Sequence, residues 1–221
     1  MFFFKETVAL VTGAARRVGR EIAIALAREG CDIVIHYRDS ANDAEDLADE
    51  IRRMGREAWD RAGKIDMLVN NAACYTRETL ADAGESDFDY SMRVNAFAPI
   101  MLAREMALLT PADRGGVIIN ILDRDISRRV PGRLPYWLSK KALEAATLGL
   151  AAELAPRFTV NAIAPGPVLA ADDPAEREPA GMIPLSLRPT PANVAECVLF
   201  LARSHAITGQ IIYADGGQHL A

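Results

Sequence analysis

Tyr136-x-x-x-Lys140 sets a phenol and an ammonium one helical turn apart in a segment of helical pattern. The two side chains therefore project from one face. A neighbouring cation stabilises phenolate and lowers a tyrosine pKa from its ordinary value of about 10. Tyr136 is then a candidate proton donor and Lys140 its tuner. A tyrosine and a lysine also meet at this spacing on ordinary amphipathic helices. The pair needs partners elsewhere in the chain before it means catalysis.

A second constellation lies near the N-terminus. Thr12-Gly13-Ala14-Ala15-Arg16-Arg17-Val18-Gly19 follows an apolar run and leads into a helical pattern. Backbone N–H groups of such a turn, with the positive end of the helix, suit a pyrophosphate. Gly13 allows the tight turn and Gly19 close helix–strand packing, while Arg17 replaces the middle glycine of the usual fingerprint. Arg16 and Arg17 favour a multiply charged ligand. After the second apolar run comes His36-Tyr37-Arg38-Asp39-Ser40. An NAD-binding fold usually ends this strand with an acid that holds the ribose 2′-OH. Here Tyr37 takes that place, and Arg38 and Ser40 suit a 2′-phosphate, so NADPH is the expected cofactor. Asp39 is expected to point away.

These residues need a scaffold, and the pattern supplies one. Short apolar runs at Thr7–Val11, Asp32–His36, Ile65–Asn70, Gly116–Ile121, Thr159–Ile163 and Gln210–Tyr213 read as buried strands. Helical patterns at Val18–Arg28, Ser40–Met54, Phe88–Leu109, Tyr136–Leu154 and Ala192–Ala202 alternate with them, with Pro99 at a kink or break. Phe2-Phe3-Phe4 leads into the first strand, and Leu169–Pro189 reads as a loop. Alternation of this kind predicts an α/β, doubly wound parallel sheet covered on both faces. The 221 residues are expected to form one domain. Half are hydrophobic and the net charge is −5. No basic stripe suggests nucleic acid, and no apolar segment is long enough to span a membrane. The three cysteines, Cys31, Cys74 and Cys197, lack metal-ligand spacing, so no metal is expected and a reduced cytoplasmic protein is the simplest reading.

With the parts assembled, the chain resembles the short-chain dehydrogenase/reductase family over nearly its whole length. The motifs come in family order: Thr12-Gly13-x5-Gly19, Asn70-Asn71-Ala72-Ala73, Asn95, Tyr136-x3-Lys140, Asn161-x3-Pro165-Gly166 and Asp215-Gly216-Gly217. The resemblance implies a seven-stranded Rossmann sheet in three layers, hydride transfer from NADPH, and a homotetramer or a dimer. It implies that Lys140 and Tyr136 also hold the nicotinamide ribose and that Asn95 fixes a water in the proton relay. Asn71, Ala72, Pro165, Gly166 and Val168 would complete the cofactor contacts. Arg17, His36-Tyr37-Arg38-x-Ser40 and the set Asp123, Tyr136, Lys140 look like the pteridine and dihydromonapterin reductases. There Tyr75 would stack on the pterin, and Arg17, Asp123 and Tyr136 would line its site. Ala73 departs from that subgroup, which has a serine, and costs a hydrogen bond. His219 could approach a neighbouring subunit's site.

Between Gly55 and Lys64 the chain is shorter than the family pattern by a strand and a helix. A true loss would strip the adenine pocket of one wall and uncover apolar surface. Omission of residues from the sequence as read is therefore expected.

Asp123 stands where most members of the family carry serine. A serine hydroxyl donates to a developing alkoxide, whereas an ionised carboxylate is acceptor-only and repels that charge. In an imine the hydride adds to carbon and the nitrogen needs a proton. A carboxylate can pass one if burial raises its pKa, and it can accept an N–H of a heterocycle. Asp123 thus favours C=N reduction of a pterin. Asp125 would share its face if the strand continued through it. The alternatives are a carbonyl reductase for 3-oxoacyl thioesters or small ketones, and a non-catalytic NADPH sensor.

Overall fold

The computed structural model describes residues 4–59, 63–128, 131–168 and 183–220. Among these, seven strands form one parallel sheet in the order β3-β2-β1-β4-β5-β6-β7. The strands are β1 (Val8–Thr12), β2 (Asp32–His36), β3 (Ala58–Trp59), β4 (Met67–Asn70), β5 (Gly116–Ile121), β6 (Phe158–Pro165) and β7 (Ile211–Ala214). The helices are α1 (Arg17–Glu29), α2 (Ala41–Arg53), α3 (Glu85–Met92), α4 (Ala98–Leu109), α5 (Leu134–Leu154) and α6 (Pro191–Arg203). Every residue of β4 is buried, as a strand covered by helices on both faces requires. One core layer joins Ile22 and Leu26 of α1 to Val198 and Leu201 of α6 beneath β1 and β2. The other face packs Ala103 and Met106 of α4 and Ala151 of α5 on β4, β5 and β6. No described helix is long and apolar enough to cross a membrane.

The strand order reverses between β1 and β4. In open parallel sheets that is where a crevice opens at the carboxyl ends of the strands. Thr12 ends β1 and Asn70 ends β4, so the turns that begin at these two residues face this crevice.

Three expectations change. The third strand is not missing: Ala58 and Trp59 pair with Ile33 and Val34 at the sheet edge. Only residues 60–66 then lead to β4, so the shortening falls on the segment between β3 and β4. The helix expected at Phe88–Leu109 is three pieces. A π-helical turn, Arg93–Phe97, separates α3 from α4. Pro99 has no N–H to give to the Asn95 carbonyl four residues back, which explains a widened turn here. Third, the chain leaves β5 before Asp125 and enters a 3-10 turn at Arg124–Ser127, so Asp125 does not continue the strand face of Asp123. The expectations for Phe2, Phe3 and most of the Leu169–Pro189 loop lie outside the described residues.

Candidate active site

The cofactor half is built on the end of β1. The Thr12 Oγ1 accepts from the backbone N–H of Asn71 at 2.9 Å and of Ala72 at 3.0 Å. The Asn71 amide donates back to the carbonyls of Thr12 (2.9 Å) and Gly13 (3.2 Å). These bonds lock the two turns together. A Cβ on Gly19 would stand 2.2 Å from the Gly13 carbonyl oxygen, so only glycine packs there. Arg17 has a φ of 55°, left-handed backbone at the position where the fingerprint has glycine. That costs about 1–2 kcal/mol for an L-residue, and such strain persists where a site needs the side chain. The first turn of α1 carries no acid, leaving its positive end uncompensated.

The turn also meets the end of β2. The Gly13 N–H donates to His36 Nδ1 at 3.4 Å. Arg38 is exposed, with Nη1 donating to the Tyr90 hydroxyl at 2.9 Å. Asp39 does not point away: its carboxylate pairs with Arg38 Nε at 2.5 Å, because adjacent opposite charges on an exposed loop find each other first. Arg16 pairs with Asp43 of α2, also at 2.5 Å. A glycine cradle, an uncompensated helix end and an arginine beyond β2 fit a dinucleotide with an added phosphate.

The catalytic half joins the end of β5 to α5. The Tyr136 hydroxyl donates to Asp123 Oδ2 at 2.8 Å. The other oxygen, Oδ1, accepts the Asp125 N–H at 2.8 Å, so Asp123 caps the 3-10 turn and is held in one orientation. Lys140 is buried; its Nζ donates to the Ile121 carbonyl at 2.8 Å and lies 5.9 Å from the Tyr136 ring centre. Burial pulls the Lys140 pKa down to about 8, against the opposing attraction of Asp123.

The expected lowering of the Tyr136 pKa is reversed. Burial, then the charge and the hydrogen bond of Asp123, hold the phenol well above its ordinary range. The carboxylate accepts the hydroxyl's hydrogen bond directly, while Lys140 is turned to a carbonyl. Tyr136 is therefore a protonated donor because it is buried against an anion, not because a cation makes it acidic.

Asn95 is fully buried in the π-helical turn. Its Oδ1 accepts the Cys74 N–H and its Nδ2 donates to the Cys74 carbonyl, both at 2.9 Å. The same amide donates to Ser139 Oγ at 3.0 Å, and Ser139 donates to the Tyr136 carbonyl at 2.6 Å. The Asn95 side chain thus ties the loop after β4 to the helix that carries Tyr136. Ser139 escapes a motif search because only its burial reveals it.

Tyr75 closes the substrate half. Its ring meets Tyr136 edge-on, with centres 4.8 Å apart. Arg133 Nη1 donates to the Tyr75 hydroxyl at 2.7 Å and pairs with Asp125 at 3.1 Å. Asp125 also pairs with Arg124 and Arg128, each at 3.2 Å, and so serves as an ion-pair hub rather than a second proton carrier. Trp137 Nε1 donates to the carbonyls of Asp125 and Arg128 at 2.9 Å, anchoring this turn to α5. Arg124 donates to Gln218 near the C-terminus. Sequence spacing marks none of Arg77, Arg124, Arg128 or Arg133 for this place. His219 stacks on Tyr213 at 4.1 Å and its ring contacts Asp215.

One cleft of about 1590 Å³ holds both halves. It is lined by Gly13, Arg16, Arg17, Val18 and Gly19; by His36, Tyr37, Arg38 and Ser40; by Asn71, Ala72 and Tyr75; and by Asp123, Tyr136, Pro165, Gly166 and Val168. A site for one drug-sized ligand takes about 300–1,000 Å³, so the cleft has room for a dinucleotide and a second molecule. Lys140 and Asn95 support it from behind.

A family model described as enoyl-(acyl carrier protein) reductase matches residues 13–219. The 3-oxoacyl-[acyl-carrier-protein] reductase FabG of Staphylococcus aureus is 31% identical over 240 residues, covering 96% of this chain and 98% of that protein. The FolM alternative dihydrofolate reductase 1 of Brucella canis, solved in complex with NADP, superposes with a TM-score of 0.93 at 34% identity, over 99% of this chain and 96% of that one. The angucycline C-6 ketoreductase LanV, solved with bound NADP, gives 0.88 at 30% identity, over 99% and 98%.

Proposed function

This chain belongs to the short-chain dehydrogenase/reductase family, and from that membership we propose an NADPH-dependent reductase that acts on the C=N bond of a dihydropterin or dihydrofolate-type ring. The observation that carries the reading is the 2.8 Å bond from the Tyr136 hydroxyl to Asp123. A carboxylate at this place opposes an alkoxide and suits a nitrogen that must be protonated. The similarity to FolM of Brucella canis, named a dihydrofolate reductase, supports it.

NADPH when bound supplies the hydride. Gly13, Gly19 and the start of α1 would hold its pyrophosphate, Arg38 and Ser40 its 2′-phosphate, and Lys140 with Tyr136 its nicotinamide ribose. The chain's own part in the chemistry is the proton. Tyr136 keeps its hydroxyl proton at neutral pH and shares it with Asp123, so the pair is a proton store at the ring nitrogen. Asp123 can then accept an N–H of the heterocycle. Tyr75 supplies a flat face for the ring, and Arg17 holds its polar edge. Lys140, with a pKa of about 8, keeps its charge through most of the neutral range.

Carbonyl reduction is the second reading, favoured by the similarity to FabG and LanV. The intact set of Asn95, Tyr136 and Lys140 speaks against a sensor without activity. NADPH oxidation with dihydrofolate and dihydrobiopterin, beside 3-oxoacyl thioesters and small ketones, separates the three. Turnover of ketones without pterins would overturn the leading reading, and tight NADPH binding with no turnover would favour the sensor. The exposed side chains of Phe97, Leu108, Leu109 and Leu148 on the α4–α5 side support self-association as a dimer or homotetramer. Sedimentation of the free protein measures it.

A further inference from the structure

Arg38 faces the cofactor with its charge already partly answered. Its side chain is 77% exposed, and the Asp39 carboxylate sits on its Nε. A guanidinium with a carboxylate beside it is a poor receptor for a second anion, because that carboxylate repels the newcomer. A site that tells NADPH from NADH therefore needs a further donor. One arrives from α3, 52 residues along the chain. Tyr90 lines the same cleft, and its hydroxyl accepts from Arg38 Nη1 at 2.9 Å. The backbone at Tyr90 is anchored: α3 packs on α5, and the Cys74 thiol donates to the Tyr90 carbonyl at 3.8 Å. A long arginine in solvent loses rotamer freedom when it binds a ligand. Fixing Nε on Asp39 and Nη1 on Tyr90 removes part of that loss before the ligand arrives.

The Tyr90 hydroxyl has a proton left to give. Its oxygen is the acceptor in the bond to Arg38, and the O–H donates to no group among the described residues. A hydroxyl that accepts from a cation becomes a stronger donor in turn. Ser40 is also uncommitted: it stands at the N-cap of α2 without a side-chain capping bond. We propose that Tyr90 is a specificity-determining residue of the cofactor site, whose hydroxyl orients Arg38 and donates its own proton to the 2′-phosphate of NADPH, alongside Ser40. A neutral donor adds a bond where the Asp39 carboxylate weakens the arginine's attraction. NADH lacks the phosphate and makes no use of this hydroxyl. The inference concerns only the adenosine end of the cofactor and holds for C=N and C=O reduction alike.

Adenosine 2′,5′-bisphosphate and adenosine 5′-monophosphate carry the adenosine ends of NADPH and NADH without the reactive ring. Titration calorimetry of the full chain with each reads the site with no substrate present. The wild type is expected to prefer the bisphosphate by about tenfold or more, the size expected for bonds to a charged group. Tyr90→Phe keeps the exposed ring and removes only the hydroxyl. It should weaken the bisphosphate about five- to tenfold, the low end for such a bond because the site is open to solvent, and leave the monophosphate unmoved. Arg38→Gln should also shrink the preference, and the double variant should lose less than the two single effects combined, since each residue works through the other. The ratio of KM values for NADPH and NADH should follow the same order. Equal weakening of both nucleotides by Tyr90→Phe would reduce Tyr90 to part of the frame and overturn the proposal. So would a wild type without the preference, a preference that Tyr90→Phe leaves intact, or fully independent effects of the two variants. No turnover of any pterin or ketone beside an intact, Tyr90-dependent nucleotide preference would remove the reductase reading and leave this one standing.

Discussion

Replacing Asp123 by serine separates C=N from C=O reduction within one protein. In the wild type Asp123 Oδ2 accepts the Tyr136 hydroxyl at 2.8 Å and Oδ1 accepts the Asp125 N–H. Serine keeps a capping oxygen for the 3-10 turn but removes the charge. A hydrogen bond to a charged partner is worth about 1.5–3 kcal/mol, which corresponds to roughly ten- to hundredfold in kcat/KM for the dihydropterin. The loss does not come from ionising the tyrosine. Burial is the first cause of the raised Tyr136 pKa and survives the substitution, so the phenol stays protonated at neutral pH. A serine hydroxyl can donate to an alkoxide, so turnover of ketones should hold or rise. NADPH affinity should change little, because Asp123 lies away from the phosphate turn. The assay is the loss of NADPH absorbance with a dihydropterin and a ketone side by side, with thermal melts as a control for folding. Equal kcat/KM for the dihydropterin in both proteins would refute the role given to the carboxylate. A parallel loss on the ketone would show that the substitution damages the site in general.

Arg17→Gly should raise the melting temperature by about 2–4 °C, from roughly 1 kcal/mol of relieved left-handed strain after the extra entropy of glycine, while lowering activity on dihydropterins; calorimetry that finds no rise would mean the turn carries no such strain. For Lys140, the folded pKa of about 8 lies below the value of 10.5 for a free lysine. The penalty on its buried ammonium is thus present below pH 8 and fades as the pH rises from 8 to 10.5, where the unfolded chain binds more protons. Over that window stability from this group should rise as kcat/KM of the free enzyme falls, and Lys140→Met should abolish the opposing trends in a pH series of melts and rates. Arg38→Gln should cut the preference for NADPH over NADH by about tenfold, discounted for its exposure, in paired KM measurements; an unchanged preference would move 2′-phosphate recognition elsewhere.

Much was legible in the order of residues. Local chemistry decides whether Thr12–Gly19 can make a turn that leads into a helix, and whether Asp32–His36 and Gly116–Ile121 are strands. Both strands fall where their apolar runs predict, because a strand buried on both faces must be apolar throughout. Tyr136, Lys140 and Asp123 could be named because their types and order already carry a chemistry. Partnership was not legible, because it depends on which ends of distant elements meet. The same tyrosine and lysine spacing suggests an acidified phenol, yet in the fold Lys140 turns to Ile121, the phenol donates its hydrogen bond to Asp123, and the shift reverses. Arg133 and Arg77 are ordinary polar residues until the fold brings them over one ring. The edge strand survives with two residues because pairing needs only backbone, which side-chain pattern does not register. Sequence by itself determined which elements form and which side chains can donate, accept or carry charge, since those are properties of single residues and near neighbours. Tertiary structure alone decided which charge each donor faces and how deeply it is buried, and those two quantities set the protonation of Tyr136 and Lys140.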